Sequence, residues 1–417
     1  MAFFQRYIVL PDIVEQALTN HLKNGAIRAT SQAFHALGFF WARHCGIFNS
    51  EPFSMNDFPA SSASKAEKEH KWKLWVSREI QQRAMLAHYM LDGLIAQMSG
   101  EPTSVRHASN QMRLLCNDAA FEAGTADEWL IQIRSQQVDQ PSFRNIFRLL
   151  FLPTDDFRRL GHNFSPFSLR VLLEGLQSFI SDCDEDTEAS VGVPTKIEIR
   201  RALARLYESI TQTVCPSMAD RLEILLRWHA VCLDAVISSS LLRSYVCCRC
   251  NIDQNIWANS KAPKYDLDLV RWANSPDGRR ALLHAVAVQD IVEQLPRGRA
   301  HAIHMPSALF AAATVYSVFS LAGLISISLP SSVDWQDVLC STTDCCRDLV
   351  EIPGMAVISD TSRYIQDACV PDFGTITTRN LLYEFNSIQK LFGCLSTQWG
   401  VAHDMGKVVD QWATLCR

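Results

Sequence analysis

The sequence predicts an all-α fold, a large irregular multi-helix domain with a long central helix. Three observations carry that expectation. Capping residues stand ahead of apolar stripes along much of the 417-residue chain. The stripes themselves repeat at helical spacing. No run alternates apolar and polar residues for long enough to make a convincing strand, and no Asn-Gly hairpin signal appears. With 48% hydrophobic and 20% charged residues the composition is globular with ample core, which excludes wholesale disorder and collagen-like or coiled-coil fibres. A net charge of −5 argues against a free-standing nucleic-acid binder, whose basic stripe must neutralise phosphates.

Taken in order, the first stripe follows Pro11, with Val14, Ala17, Leu18 and Leu22 on one face and Asn24-Gly25 as its stop. Glu51–Ser64 is rich in proline and serine and reads as a loop. The long helix then runs from Trp72 to Met98. Trp72, Trp75, Val76, Ile80, Ala84, Ala87, Met90, Leu91, Leu94 and Met98 keep helical spacing, and Ser99-Gly100-Glu101-Pro102 ends it. At ~1.5 Å per residue it spans roughly 40 Å, enough to cross a domain. Arg78, Glu79, Arg83 and Asp92 fall close to or inside its apolar side. Buried charges must be paired, so they point to an ionic network with neighbouring helices rather than to a reactive site.

Thr125 with Glu128, and Thr195 with Glu198, read as capping boxes. Ser165-Pro166 and Ser275-Pro276 each set a cap before a proline at the first helical position. Further helical stripes run through Met218–Tyr245, Arg279–Leu295 and Thr378–Leu395. Ser181–Pro194, with its DCDEDTE run, is an acidic connection, and Ser331–Phe373 is irregular with short helical pieces. Helices on both sides of these loops need partners for their apolar faces. Residues 1–417 are therefore expected to form one helical domain, and no fixed-period repeat makes it a solenoid.

The 14 cysteines are scattered, and Met1–Gln16 carries no secretory signal. They are read as reduced, core-filling thiols of an intracellular protein. Between Arg299 and Asp334 no charged residue occurs, and Ala308–Leu329 has the length of a bilayer span of ~20 residues. Its small and hydroxylated residues, Thr314, Tyr316, Ser317, Ser320, Ser326 and Ser328, favour a buried core helix; a single-span membrane protein is the alternative. A second alternative rests on His88, Asp92 and Gly93, which match the HxxxDG signature of CoA-dependent acyltransferases, with Asp372-Phe373-Gly374 echoing their DFG motif. Here, however, His88 and Asp92 lie within an uninterrupted helical period, and Thr-Ile follows where that family has Trp-Gly. Cys247 and Cys250 with His301 and His304 have the wrong spacing for a zinc finger, and the acidic run lacks the glycine and closing glutamate of a calcium loop. No P-loop, G-x-G-x-x-G, G-x-S-x-G or H-E-x-x-H occurs. No catalytic, cofactor, metal or DNA-binding residue is therefore assigned.

The segment from Trp72 through Trp75, Arg78, Glu79 and Arg83 to Leu91, Asp92 and Gly93 resembles the signature of the fungal-specific transcription factor domain, as found in fungal zinc-finger regulators. Arg113–Cys116, Ala120–Ala123, Thr125–Trp129, Phe143–Phe151 and Ser165–Asp182 fit the same branch, so the resemblance is strongest over 72–182. It implies an all-α regulatory region, nuclear location and control of transcription, in places of a specialised biosynthetic pathway. It also implies protein partners or a homodimer, and a small-molecule effector in a helical pocket. Trp75, Arg78, Glu79, Arg83, Leu91 and Asp92 occupy the signature positions and are expected to be structural. The family's DNA contacts belong to an N-terminal zinc module, yet only Cys45 precedes the matching region. DNA is thus expected to be met indirectly or through a missing module, and zinc would come only with it. A regulator without its own reader and a shortened form of a longer factor both fit.

Overall fold

The computed structural model describes residues 25–49, 57–99, 103–106, 110–116, 118–135, 141–152, 156–161, 164–183, 192–213, 215, 217–252, 267–296, 302–340, 359–367 and 376–415. The expected stripe from Val14 to Leu22, most of the acidic run, His301 and Asp372-Phe373-Gly374 lie outside them. Gly25, expected as a stop, belongs to helix α1 (Gly25–His44). The long helix is α2 (Lys65–Ser99). It starts a full two turns before Trp72, with the Ser64 hydroxyl accepting from Glu67 N at 3.2 Å. That opening stretch is polar all round, so it shows no stripe to read. Farther along, the buried face carries Trp75, Val76, Met85, Leu86, Tyr89, Leu94 and Ala96, whereas Ala84, expected inside, is exposed.

Short helices α3 (Asp118–Phe121), α4 (Ala126–Arg134), α5 (Phe143–Phe151) and α6 (Asp156–Gly161) follow, then α7 (Pro166–Asp182) and α8 (Lys196–Gln212). The caps explain their starts. Thr125 accepts from Glu128 N at 3.2 Å, while the Glu128 carboxylate reaches Gly124 N rather than the cap residue's own amide. At Thr195 the reciprocal box is complete, with Thr195 N donating to Glu198 Oε2 at 2.8 Å. Ser165 and Ser275 cap α7 and α12 (Pro276–Gln294), each ahead of its proline.

The expected stripe Met218–Tyr245 is broken into α9 (Met218–Val236) and α10 (Ser239–Arg249), which meet at a 68° bend. Ser238 caps the second piece. After α11 (Leu269–Ala273) and α12 comes α13 (Met305–Leu321). Here the apolar run Ala308–Leu329 proves to be two elements. Gly323, at φ +87°, closes α13: its N–H donates to Ser320 O, and Leu324 N donates to Phe319 O at 3.1 Å. The chain then turns into strand β1 (Ser326–Pro330). Among the described residues no single helix is long and apolar enough to cross a membrane.

The helices α14 (Trp335–Leu339) and α15 (Asp360–Asp367) precede strand β2 (Ile376–Asn380), which pairs antiparallel with β1 from Ser326↔Asn380 to Pro330↔Ile376. This two-stranded ribbon is absent from the sequence expectation. Only Ile327 and Leu329 alternate with exposed Ser326 and Ser328, too short a pattern to register inside an apolar run. Thr378, expected to be helical, is in β2; α16 (Leu381–Leu395) begins after Asn380, and α17 (Gly400–Leu415) closes the described chain.

Two large cores share α9 as their wall. Ile224, Trp228, Val231, Cys232 and Ala235 pack with α1, α2, α5, α7 and α8. On the other face, Leu226, Ala230 and Leu233 pack with α10, α12, α13, α16 and α17. A third, smaller cluster joins Trp75 and Val76 to α3 and α4. Helix α9 thus contributes to both large cores, and the long α2 joins the first of them to the third cluster. Helix α7 approaches α5 closely at Gly175, where an added Cβ would stand 2.0 Å from Phe147 Cζ. Gly175→Ala should overpack this contact and cost about 1–3 kcal/mol of stability in urea unfolding; an unchanged midpoint would show that the Phe147 ring can swing aside.

Candidate functional site

Four of the six signature positions turn inward along α2 and meet three neighbouring layers in succession. Trp75, wholly packed, rests against Trp129 of α4 with ring centroids 5.6 Å apart. One turn on, Glu79 is buried and Arg83 half-buried. The Arg83 guanidinium donates to Glu79 Oε1 at 3.2 Å, to Asp118 Oδ1 at 3.1 Å and to Cys116 O at 3.2 Å, and it lies 4.0 Å from the Phe121 ring centroid. One cation thus ties α2 to the irregular segment before α3 and to α3 itself. Burial still dominates at Glu79: it pushes the carboxyl up to about 7 against the pull of Arg83. Arg78 is exposed, and Leu91, about half a turn from Trp75, is half-buried.

Asp92 faces α1. His35 Nε2 stands 3.4 Å from Asp92 Oδ1, and Val105 N donates to Asp92 Oδ2 at 3.2 Å. Burial raises this carboxyl, but hydrogen bonds from His35 and Ser104 and the pull of His35 outweigh it and hold Asp92 below its usual range. His88 sits beside it, its ring 3.8 Å from that of His35 and its Nε2 2.9 Å from His35 O. A carbonyl only accepts, so Nε2 carries the proton and donates. An added Cβ at Gly38 would stand 2.6 Å from that nitrogen, so α1 closes directly over the ring. Burial, then the neighbouring His35, lowers His88 to about 4. A ring so placed is a weak base with its Nε2 already committed, which is not the exposed base that acyl transfer needs.

Nearer its C-terminus, α2 meets the deepest ion pair. Arg227 of α9 grips Glu174 of α7 with two bonds of 2.7 Å, and both side chains are almost wholly buried. Burial pushes Glu174 up while Arg227 pulls it back. Gly93 makes room for the pair, because a Cβ there would stand 2.8 Å from Glu174 Oε2. Gln97 continues the network, accepting from Arg227 Nη1 at 2.7 Å and donating to Asp234. Asp234 also accepts from Gln177 Nε2 and from Ser239 N, both at 3.0 Å, which fixes the α9–α10 bend. The sequence reading missed Gln97, Glu174, Gln177, Arg227 and Asp234. For Glu174, Arg227 and Asp234 a signal was present: charges among the apolar positions of Pro166–Asp182 and Met218–Val236, which burial obliges to pair; the amides Gln97 and Gln177 carried none.

The arrangement therefore holds helices in place; it presents no open nucleophile. Among the described residues no group of three or more His, Cys, Asp or Glu side chains could hold a metal ion, and the described cysteines are free thiols. Cys247, the first thiol of the CxxC, is buried in the α9–α13 core. Two stability measurements test the network. Arg227→Met should cost about 3–5 kcal/mol in denaturant unfolding, because Glu174 is left buried and unpaired. The Glu174→Leu/Arg227→Met double variant should recover part of that loss; equal losses would show that the pairing is immaterial. For Glu79, the folded pKa of about 7 exceeds the ordinary 4.5, so the folded state holds the extra proton between these values and stability falls as pH rises through that window. His88, lowered to about 4, has the opposite slope from pH 4 to 6.5, so only a difference isolates Glu79. Glu79→Gln should flatten a fall of up to about 3 kcal/mol between pH 4.5 and 7; parallel curves for parent and variant would refute the assignment.

Comparison with known proteins places a family on this helix. Residues 42–181 match the family described as the fungal specific transcription factor domain. The match starts in the last turn of α1 and ends in α7, thirty residues ahead of the stretch where the sequence resemblance was strongest. Zinc finger protein klf1 of Schizosaccharomyces pombe (strain 972 / ATCC 24843) is 27% identical over 108 residues, which are 26% of this chain and 13% of that protein. No solved structure matches the chain. Over residues 42–181, from the end of α1 through the ion-paired helix α2 to α7, this chain matches the fungal specific transcription factor domain.

Proposed function

We propose that the chain is the helical regulatory and protein-interaction region of a fungal zinc-finger-type transcription regulator, acting in the nucleus. The observation that carries this reading is the family match that takes in α2, a helix whose inward positions Trp75, Glu79, Arg83 and Asp92 form packing and pairing contacts rather than a reaction centre. Such a region works through what it binds: another protein or a second copy of itself, with a small-molecule effector shifting the balance between states. DNA is met through a zinc module or a DNA-bound partner, and zinc belongs to that module. Residues 1–417 then act as one helical unit, and the genes controlled are those of a specialised biosynthetic pathway. Regulation rather than catalysis accounts for a signature helix spent on internal contacts.

The test is a reporter fusion. The full chain joined to an unrelated DNA-binding domain should change transcription of a reporter bearing that domain's site by several-fold, up or down, and a fluorescent fusion should gather in the nucleus. Arg83→Ala, which strips Glu79 and Asp118 of their cation, should abolish the reporter effect with the fusion still expressed. A fusion inert in the host and excluded from nuclei would overturn the reading.

A further inference from the structure

Remote from the family match, three carboxylates converge where α12, β2 and α16 meet. Gln289 Nε2 donates to Glu293 Oε1 at 2.9 Å and to Glu384 Oε2 at 2.6 Å, so the two carboxylates share one amide. Ser387 Oγ donates to Glu293 Oε1 at 2.5 Å. Arg379 Nη2 donates to Asp290 Oδ2 at 2.7 Å, and its Nη1 lies 3.7 Å from Glu384 Oε1. Among the described residues these contacts set one guanidinium against three carboxylates. Burial first, then mutual repulsion, raises Asp290 and Glu384 above their ordinary range against the pull of Arg379.

Two polar atoms at the floor of this group have no partner. The Tyr316 hydroxyl of α13 is wholly buried and unpaired, and the same charges, Glu384 first, then Arg379, Asp290 and Glu293, act on it. Gln289 Oε1 is wholly buried and unpaired as well, although its amide nitrogen is used twice. An unpaired buried polar atom is costly, and two oxygens able to accept, beside surplus negative charge, call for a donor that is also a cation. A metal ion does not meet the need, because no group of three or more His, Cys, Asp or Glu among the described residues could hold one. A primary ammonium does: it carries one positive charge and three N–H donors, with no acceptor. Glu293, which is exposed, marks the solvent side from which it would arrive.

We propose that Tyr316, Gln289, Glu293 and Glu384 form a binding site for a primary ammonium group, with Tyr316 Oη, Gln289 Oε1 and a carboxylate taking its three hydrogens. The group can come from a free amine or from a lysine of a partner protein. The inference supplies a chemistry for the effector or partner of the regulatory reading, but it is tested on binding by the chain itself, so either reading can fail alone.

The experiment is calorimetric titration of the full chain at physiological ionic strength with 1,4-diaminobutane, with a short acetylated and amidated lysyl peptide, and with tetramethylammonium. The diamine or the peptide should bind, and tetramethylammonium, which has no N–H, should bind at least tenfold more weakly. Tyr316→Phe, which removes only the hydroxyl, should weaken the ammonium ligand about tenfold. Glu293→Gln, on the exposed rim and therefore safe for folding, should weaken it several-fold. Tighter binding of the peptide assigns the site to a protein partner's lysine, and tighter binding of the diamine assigns it to a free amine. No binding by either ammonium, equal binding of tetramethylammonium, or undiminished binding in a folded Tyr316→Phe variant would overturn the proposal and leave buried water as the partner of the two orphan atoms.

Discussion

The constraint on which the rest depends is the desolvated pair Glu174–Arg227. Taking two charges out of water costs several kcal/mol per ion, recovered only where geometry is close and the remaining hydrogen-bonding capacity is used. Here two 2.7 Å bonds and the Gln97 amide meet that demand. Satisfying the pair fixes three helices at once: α7 carries the acid, α9 the base, and α2 supplies both the glycine that admits them and the glutamine that completes them. Once these helices are set, Asp234 is positioned to hold the bend into α10, and the second core builds on the opposite face of α9. Such a pair contributes little net stability against a greasy replacement of the same shape. Its two bonds and the Gln97 contact form only when α2, α7 and α9 stand in one register.

Much of this was legible in the chain. The all-α class, the long helix, the serine and threonine caps and the inward charges at Glu79, Arg83 and Asp92 follow from local rules, because caps and periodicity act over a few residues. Arg78 and Leu91 share the signature but not the interior, since the signature spans more than one side of a helix and only packing decides which side is covered. Long-range partners were not legible. Nothing local to Glu174 names Arg227, fifty-three residues away. Likewise the ribbon of β1 and β2 joins segments too short to show alternation, and the single left-handed turn at Gly323 converts what hydropathy reads as one span into a helix and a strand.

His88 and Glu79 of α2 illustrate how environment rather than identity sets chemistry. His88 next to an aspartate four residues on satisfies a motif of acyl transfer, yet desolvation lowers it and the His35 carbonyl takes its proton donor. Glu79 is pushed the other way by the same burial. Their opposed proton linkages partly cancel over mildly acidic pH, so the helix as a whole is less sensitive to acidity than either group.

The double duty of α9 bears on where this polypeptide could be cut. The stretch recognised by homology stops at residue 181, yet Ile224, Trp228 and Val231, well beyond that point, fill the interior of the matched region. A fragment trimmed to the recognised borders would expose a greasy trough along α7 and leave Glu174 facing water without its cation. The edges of evolutionary similarity and the edges of the autonomous folding unit therefore fall in different places, and an expression fragment has to follow the latter.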